Sequence, residues 1–129
     1  MPYELRTDPA NNVLLVIYSG VVNAGELHEA SHLAAERIKV SGQLRALADL
    51  TAVERISATI GPVLEIPQSI YVEHRLSHQL RIAVLVPPNE SIVELARFYE
   101  LACHNRGWLA RVFRNRGEAL DWLANGSKT

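Results

Sequence analysis

The chain has 129 residues, of which 48% are hydrophobic and 21% are charged, a balance that excludes a disordered, charge-rich segment. Its 13 basic and 14 acidic residues leave a net charge of −1. The chain therefore lacks the basic excess with which nucleic-acid-binding proteins neutralise phosphates. We expect one folded domain over residues 1–125, a frayed tail over residues 126–129, and no nucleic-acid partner.

The sequence also predicts a cytoplasmic location. A single cysteine, Cys103, cannot form an internal disulfide, which is typical of proteins in a reducing compartment. Residues 1–6 lack the basic and then apolar pattern of a secretion signal. The longest apolar runs, residues 13–18 and 82–88, are far too short to span a bilayer.

Two strands open the predicted fold, at residues 3–7 and 13–18, and the turn between them predicts an antiparallel pair. The second run is continuously apolar, as in a strand that is covered on both faces. A helix should follow, because Asn23 and Glu26 have the spacing of a capping box and Gly42 suits the helix end. Its apolar residues recur at helical spacing: Leu27, Ala30, Ala34 and Ile38.

Two prolines divide the middle of the chain. A third strand is predicted at residues 44–50 and a fourth at residues 80–86. Between them, Pro62 and Pro67 should interrupt any long helix, because proline lacks an amide hydrogen and clashes with the preceding turn. We therefore expect a loop from residue 51, followed by a short or kinked helix at residues 69–78.

The last third of the chain contains the strongest helical pattern. Ser91 and Glu94 have capping-box spacing, and Gly107 should end this helix. Its apolar face consists of Ile92, Leu95, Ala96, Tyr99, Ala102 and Cys103. A fifth strand (109–113) and a final helix capped by residues 115–118 follow, and the helix should bury Ala119, Trp122 and Leu123. The order ββαβαβαβα predicts an α/β fold: a mixed five-stranded sheet with helices on both faces.

Polar residues after the third strand form the first candidate site. Loops at the carboxyl ends of parallel strands carry the functional groups of open α/β sheets. The candidate residues for binding a partner or ligand are Asp49, Thr51, Glu54, Ser57 and Thr59. In the competing interpretation, Asp49 and Thr51 only cap the turn that leaves the strand.

Two histidine pairs at a spacing of four residues raise the question of a metal site. His28 and His32 form one pair, and His74 and His78 form the other. Each pair should leave one helix face, and Glu36 lies one turn beyond the first. A zinc site needs further ligands, however, and the pairs belong to separate elements. We therefore predict solvated helix faces and no metal.

No sequence motif indicates an enzyme. Cys103 and its neighbour His104 point about 100° apart on a helix, so they do not face each other as nucleophile and base. We predict that Cys103 is a core residue, because free cysteine is among the most buried residue types. Gly61-Pro62 does not resemble a glycine-rich phosphate-binding loop. The sequence also contains no recognisable motif of a Ser-His-Asp catalytic triad. The sequence predicts no enzymatic activity and no cofactor.

Three stretches resemble the SpoIIAA-like group of the STAS domain superfamily: residues 47–53 (LADLTAV), 80–86 (LRIAVLV) and 112–123 (VFRNRGEALDWL). The last is the most telling, because these domains often end in a strand, a short polar turn and a helix of this pattern. The resemblance covers nearly the whole chain. It implies a bacterial, non-enzymatic regulatory or binding module similar to anti-sigma-factor antagonists, which contacts a protein partner through the loop after the third strand.

In the antagonists that the chain resembles, this loop carries a phosphorylatable serine in a D-S-S-G-like motif. The corresponding residues 56–61 (ISATIG) lack the aspartate and the paired serines, which leaves Ser57 and Thr59 as candidate phosphoacceptors.

SpoIIAA-like folds also look similar to lipid-exchange domains. The alternative function is therefore a carrier for a small apolar or anionic, lipid-like ligand between the sheet and residues 61–79. An enzyme that uses Asp49 and nearby histidines ranks last, and a homodimer is left open.

Overall fold

The computed structural model describes residues 2–125, so the expected frayed tail at residues 126–129 lies outside the described part. The strands are β1 (Tyr3–Asp8), β2 (Val13–Asn23), β3 (Arg45–Ser57), β4 (Arg81–Leu85) and β5 (Leu109–Phe113). The helices are α1 (Ala24–Ser41), α2 (Ile60–Glu65), α3 (Glu90–Asn105) and α4 (Arg116–Asn125). A π-helical segment, Ile66–Tyr71, continues directly from α2. No helix within residues 2–125 has the length and apolar character needed to cross a membrane.

The five strands form one sheet in the order β1-β2-β3-β4-β5. β1 is antiparallel to β2, and every other neighbouring pair is parallel. This confirms the predicted mixed sheet and the order ββαβαβαβα. Because β2 to β5 lie side by side in chain order, crossovers of one hand place α1, α2 and α3 on the same face.

Two apolar cores flank the sheet. In the larger one, residues of α1, α2, the π-helical segment and α3 pack on strand residues such as Val16, Ala46 and Val84. In the smaller one, Ala119 and Leu123 of α4 pack on the opposite face, and their strand partners are Val13, Leu47, Ala83, Leu85 and Phe113. Helices therefore cover both faces as predicted, although α4 alone covers the second.

Local signals correctly predicted helix α1. The side chain of Asn23 accepts a hydrogen bond from the Glu26 amide at 2.8 Å, and Glu26 accepts one from the Asn23 amide at 2.9 Å. Gly42 ends the helix with a left-handed φ of 73°. Leu27, Ala30 and Ile38 are buried as predicted, and Ala34 packs half-buried against the same core.

The predicted ends of the second and third strands are wrong. β2 continues to Asn23 instead of stopping after Tyr18, and β3 continues to Ser57 instead of stopping at Leu50. The reason is that the two strands keep pairing with each other up to Asn23 and Ser57. The expected loop from residue 51 is therefore a strand, and only residues 58 and 59 connect it to α2.

The expected position of the second helix is also wrong, because helical structure begins at Ile60 rather than near residue 69. Pro62 lies in the first turn of α2, where an amide hydrogen would have no partner within the helix. Pro67 lies at the start of the π-helical segment, where the wider turn accommodates its ring and missing hydrogen. Both prolines are thus compatible with one continuous helical stretch.

The N-cap of helix α3 lies two residues before the predicted cap at Ser91. The side chain of Asn89 caps it by accepting hydrogen bonds from the amides of Ser91 and Ile92, at 3.1 and 3.3 Å. The predicted apolar face is confirmed: Ile92, Ala96, Ala102 and Cys103 are buried, whereas Leu95 and Tyr99 are half-buried. The predicted cap of α4 is present between Asn115 and the Glu118 amide at 3.0 Å, and Trp122 is half-buried.

Candidate functional site

The ends of β2 and β3 extend beyond the rest of the sheet. β3 pairs with β4 only as far as Asp49, but it pairs with β2 as far as Ser57. We refer to residues 19–23 of β2 together with residues 50–57 of β3 as the β2–β3 ribbon. Among residues 2–125, no strand pairs with the other edge of β3 along this ribbon. The ribbon thus presents a free strand edge at the carboxyl ends of the parallel strands.

Two bulges change the side-chain pattern of the ribbon. Ile17 and Ser19 pair with Asp49 and Ala52, and Gly20 and Val21 pair with Val53 and Arg55, so β3 has one extra residue at each step. An extra residue breaks the alternation of side chains between the two faces. The residues that pack against the larger core therefore recur every third position: Leu50, Val53 and Ile56. The intervening residues Thr51, Ala52, Glu54, Arg55 and Ser57 are exposed.

Asp49 lies at the base of the ribbon and is only 6% exposed. One of its carboxylate oxygens accepts hydrogen bonds from the Thr51 amide at 2.9 Å and the Thr51 hydroxyl at 2.6 Å. The other oxygen forms an ion pair with Arg116. Burial acts to raise the pKa of Asp49, but the bonds from Thr51 and Arg116 outweigh it and hold this pKa below its usual value. Both oxygens of the carboxylate are therefore occupied within the chain.

The structure does not gather the five predicted site residues into one pocket. Asp49 and Thr51 bond to each other, as the capping interpretation expects, whereas Glu54 and Ser57 lie further along the exposed side of the ribbon. Thr59 precedes the first residue of α2, and its side chain makes no capping hydrogen bond there. Thr51, Glu54, Ser57 and Thr59 thus follow one solvent-facing path from the sheet to α2, not a cleft, and Asp49 is buried at its base.

The histidines meet in a way that the sequence did not predict. One histidine of each predicted pair contacts the other, with His32 Nδ1 and His74 Nε2 2.9 Å apart. The ring of His28 packs edge-on against His32, and their ring centroids are 4.6 Å apart. His78 instead stacks on Trp108. Residues 2–125 contain no group of three or more histidine, cysteine, aspartate or glutamate side chains with the geometry to hold a metal ion.

Side chains of α3 cover the outer edge of β5. Glu100 accepts a hydrogen bond from the Val112 amide at 2.8 Å, and a ring nitrogen of His104 lies 2.8 Å from the carbonyl oxygen of Ala110. These backbone groups point away from β4, where another strand would bind. An unpaired edge strand is a template for association with a further strand, and α3 occupies this one.

An apolar cavity of about 90 Å³, partly open to the protein surface, lies in the larger core between the sheet and the helices. Ala46 and Ala48 of β3 and Ile82 and Val84 of β4 form its floor. The roof consists of Val63 of α2 with Ile66 and Tyr71 of the π-helical segment, and helices α1 and α3 close the sides. The sequence predicted that a ligand could lie between the sheet and residues 61–79, but it carries no signal for the size of that space.

Buried hydroxyl groups gather at one end of this core. The hydroxyls of Tyr71 and Tyr99 are 2.7 Å apart, and burial raises the pKa of both. Burial also raises the pKa of Cys103 to about 12, although a hydrogen bond with Tyr99 partly opposes this shift. The thiol is fully buried and therefore protonated at neutral pH. This placement agrees with the prediction that Cys103 is a core residue.

Comparison with solved structures shows which fold this is. A protein of the DUF3478 family from Shewanella loihica PV-4, described as having a SpoIIAA-like fold, superposes with a TM-score of 0.58 and 16% identity over 94% of this chain and 91% of that one. The unphosphorylated form of the anti-sigma factor antagonist SpoIIAA gives a TM-score of 0.58 and 8% identity over 92% of this chain and 94% of that one. No family model and no curated protein sequence matches the chain. The chain thus has a SpoIIAA-like fold, as its sequence indicated.

Proposed function

We propose that this chain is a cytoplasmic, non-enzymatic regulatory module that binds a protein partner through the exposed side of the β2–β3 ribbon and the start of α2. One solved protein with the same fold is an anti-sigma factor antagonist, which supports a regulatory role. The observation that carries the proposal is the free edge of β3, which extends beyond β4 with exposed polar side chains on it.

The shape of this surface favours a protein partner over a small molecule. Small-molecule sites are concave and mostly apolar, whereas the ribbon is an extended, solvent-facing path. Glu54 and Arg55 are adjacent and exposed, so the surface offers both signs of charge to a complementary partner. A strand edge with which no other strand pairs can also provide the backbone hydrogen bonds that β-strand addition requires.

The carboxylate of Asp49 is the weakest of the predicted contacts, because Thr51 and Arg116 already occupy its oxygens. We therefore assign partner contacts to Thr51, Glu54, Ser57 and Thr59, and a positioning role to Asp49.

Ser57 and Thr59 remain the proposed phosphoacceptors. Both residues are exposed, and the Thr59 hydroxyl makes no capping bond to α2. A phosphate on either would add about −2 charges to the partner surface. We expect Ser57→Asp or Thr59→Asp to change partner affinity, and mass spectrometry of the protein isolated from its host would detect the phosphate itself.

The test is a photo-crosslinking experiment with the full chain in host lysate. A photoreactive amino acid at Glu54 should crosslink one specific protein, and Arg55→Glu in the same chain should reduce this product at least about tenfold, the effect of about 1.4 kcal/mol. The matched control carries the photoreactive residue at Glu94, which is exposed on α3. Equal crosslinking from positions 54 and 94, or no effect of Arg55→Glu, would refute the ribbon as the partner surface.

A further inference from the structure

The cavity under the π-helical segment is unusually large for the interior of a small domain. Protein cores are packed like organic crystals, with few voids larger than a water molecule. One water needs a volume on the order of 10–15 Å³ by the same kind of measure, whereas this cavity holds about 90 Å³. Its origin in the sequence is the pair Ala46 and Ala48, which place two small side chains side by side on the floor.

Water does not suit this space. A buried water needs two to four polar partners, but most of the lining is aliphatic, including Ile38, Leu50 and Ile82, and the hydroxyls of Tyr71 and Tyr99 are already paired with each other. Engineered apolar cavities of comparable size stay dry and take up small apolar molecules. We propose that the cavity is a binding site for a small, neutral, mainly aliphatic molecule with one hydroxyl or similar polar group.

The chemistry of the lining sets the charge of the ligand. Within residues 2–125, no charged side chain lines the cavity, and a buried ion without a partner is strongly disfavoured. Four residues of the lining carry hydroxyl groups, Tyr18, Ser31, Tyr71 and Tyr99, and the hydroxyls of Tyr71 and Tyr99 are paired with each other. These hydroxyls can exchange hydrogen bonds with one neutral polar group on the ligand. The anionic ligand that the sequence left open is therefore not favoured.

The volume of the cavity sets the size of the ligand. A cavity of about 150 Å³ accepts benzene, so this smaller space fits a flexible chain of roughly four to six carbon atoms better than a rigid ring. The lining residues that are only half-buried mark the side nearest solvent; they include Ala34 of α1, Ile56 of β3 and Leu95 of α3. The roof includes a π-helical segment, and such segments often occur at functional sites.

The test is an NMR titration of the ¹⁵N-labelled full chain with 1-hexanol, with hexanoate as the charged probe of equal length. We expect saturable shifts with 1-hexanol at the amides of Ala48, Ile66 and Tyr71, and binding of hexanoate at least about tenfold weaker. Ala48→Leu fills the floor and should abolish the 1-hexanol shifts. The same substitution at Ala124, which is exposed on α4, should leave them unchanged.

Several results would overturn the proposal. They are the absence of saturable shifts in the wild type, equal binding of hexanoate, or persistence of the shifts in a folded Ala48→Leu variant. Crystals of the wild-type protein under xenon pressure provide a measurement that depends on no variant. Xenon density between Ala48 and Ile66 supports the site, and an empty interior under pressure counts against it. Glu54→Lys changes the proposed partner surface and should not alter the binding of 1-hexanol. A failure of the cavity proposal can therefore be told apart from a failure of the proposed partner surface.

Discussion

Asp49 on β3 and Arg116 at the first position of α4 form an ion pair that joins the central strand to the last helix. Asp49 also accepts two hydrogen bonds from Thr51, at the first bulge of β3. One carboxylate thus fixes both the start of the β2–β3 ribbon and the position of α4. The residue that the sequence suggested as a recognition group thus joins two elements of the fold.

Replacing Asp49 should therefore destabilise the protein. Asp49→Asn keeps the shape of the side chain but loses its charge-assisted hydrogen bonds, for which we expect a loss of about 2 kcal/mol in the free energy of unfolding. Arg116 is half-exposed, so solvent screens its share of this effect. Urea denaturation at pH 7 measures the loss, and Asp121→Asn, at an exposed position of α4, is the matched control.

The same pair predicts a pH dependence. The pKa of Asp49 is lowered in the folded state, so its contribution is complete above the usual aspartate pKa of about 3.9. It is lost as the pH falls from there through the folded-state pKa. The stability difference between wild type and Asp49→Asn should be constant from pH 5 to 7 and should shrink below about pH 4. A difference that stays constant down to pH 2 would contradict the assignment.

Glu100 should protect the edge of β5. Glu100→Ala leaves the half-buried Val112 amide without its acceptor, which we expect to cost about 1–2 kcal/mol, whereas Glu100→Gln keeps an acceptor oxygen and should cost less. The uncovered edge should also promote association. Sedimentation velocity would detect dimers of Glu100→Ala at concentrations where the wild type and the exposed-site control Glu94→Ala sediment alike. Identical sedimentation of all three would exclude a protective role.

The sequence predicted those features that depend on residues close together in the chain, and it did not predict those that depend on residues far apart. The capping residues Asn23 and Gly42 act within one helix end, so their sequence signals predicted α1 correctly. The length of β3 depends on pairing with β2, some thirty residues away in the chain, and its bulges removed the alternation on which strand prediction depends. The contacts of His32 with His74 and of Glu100 with Val112 arise only when separate elements pack.

Replacing Gly25 of α1 and Gly42, which follows its last residue, by alanine should change the stability of the protein in opposite directions. Gly42 has a φ of 73°, a conformation that strains any side chain, so Gly42→Ala should destabilise the protein by about 1 kcal/mol. Gly25 lies in the first turn, and an added Cβ would meet only the Asn23 side-chain oxygen at 3.4 Å. Gly25→Ala should therefore stabilise the protein by about 0.5 kcal/mol. Thermal unfolding of both variants beside the wild type measures the two signs.

The Cys103 thiol should be unreactive in the folded protein. It is fully buried, and burial raises its pKa to about 12, whereas thiolate is the reactive form. At pH 8 we expect alkylation by iodoacetamide to be on the order of a thousandfold slower in the native protein than in guanidinium chloride. Mass spectrometry of the time course measures both rates. Comparable rates would show that the thiol is accessible and would contradict its place in the core.

The three-residue spacing in β3 can be tested against regular alternation. From Leu50, which is buried, alternation would turn Ala52 and Glu54 towards the larger core and Val53 away from it. The bulges instead bury Val53 and expose Glu54. Val53→Ala should thus cost about 2 kcal/mol in the free energy of unfolding, whereas Glu54→Ala should change it by less than about 0.5 kcal/mol.

Urea denaturation of the two variants distinguishes the bulged strand from a regularly alternating one. Only in the bulged strand should Val53→Ala lower the free energy of unfolding more than Glu54→Ala does. Arg55→Ala is the control on the other side of the bulge and should also be nearly neutral, since Arg55 is exposed. A large cost for Glu54→Ala together with a small one for Val53→Ala would mean that the strand alternates regularly. In that arrangement Glu54 would face the core and could not contact a partner, so this measurement also tests the geometry on which the partner surface depends.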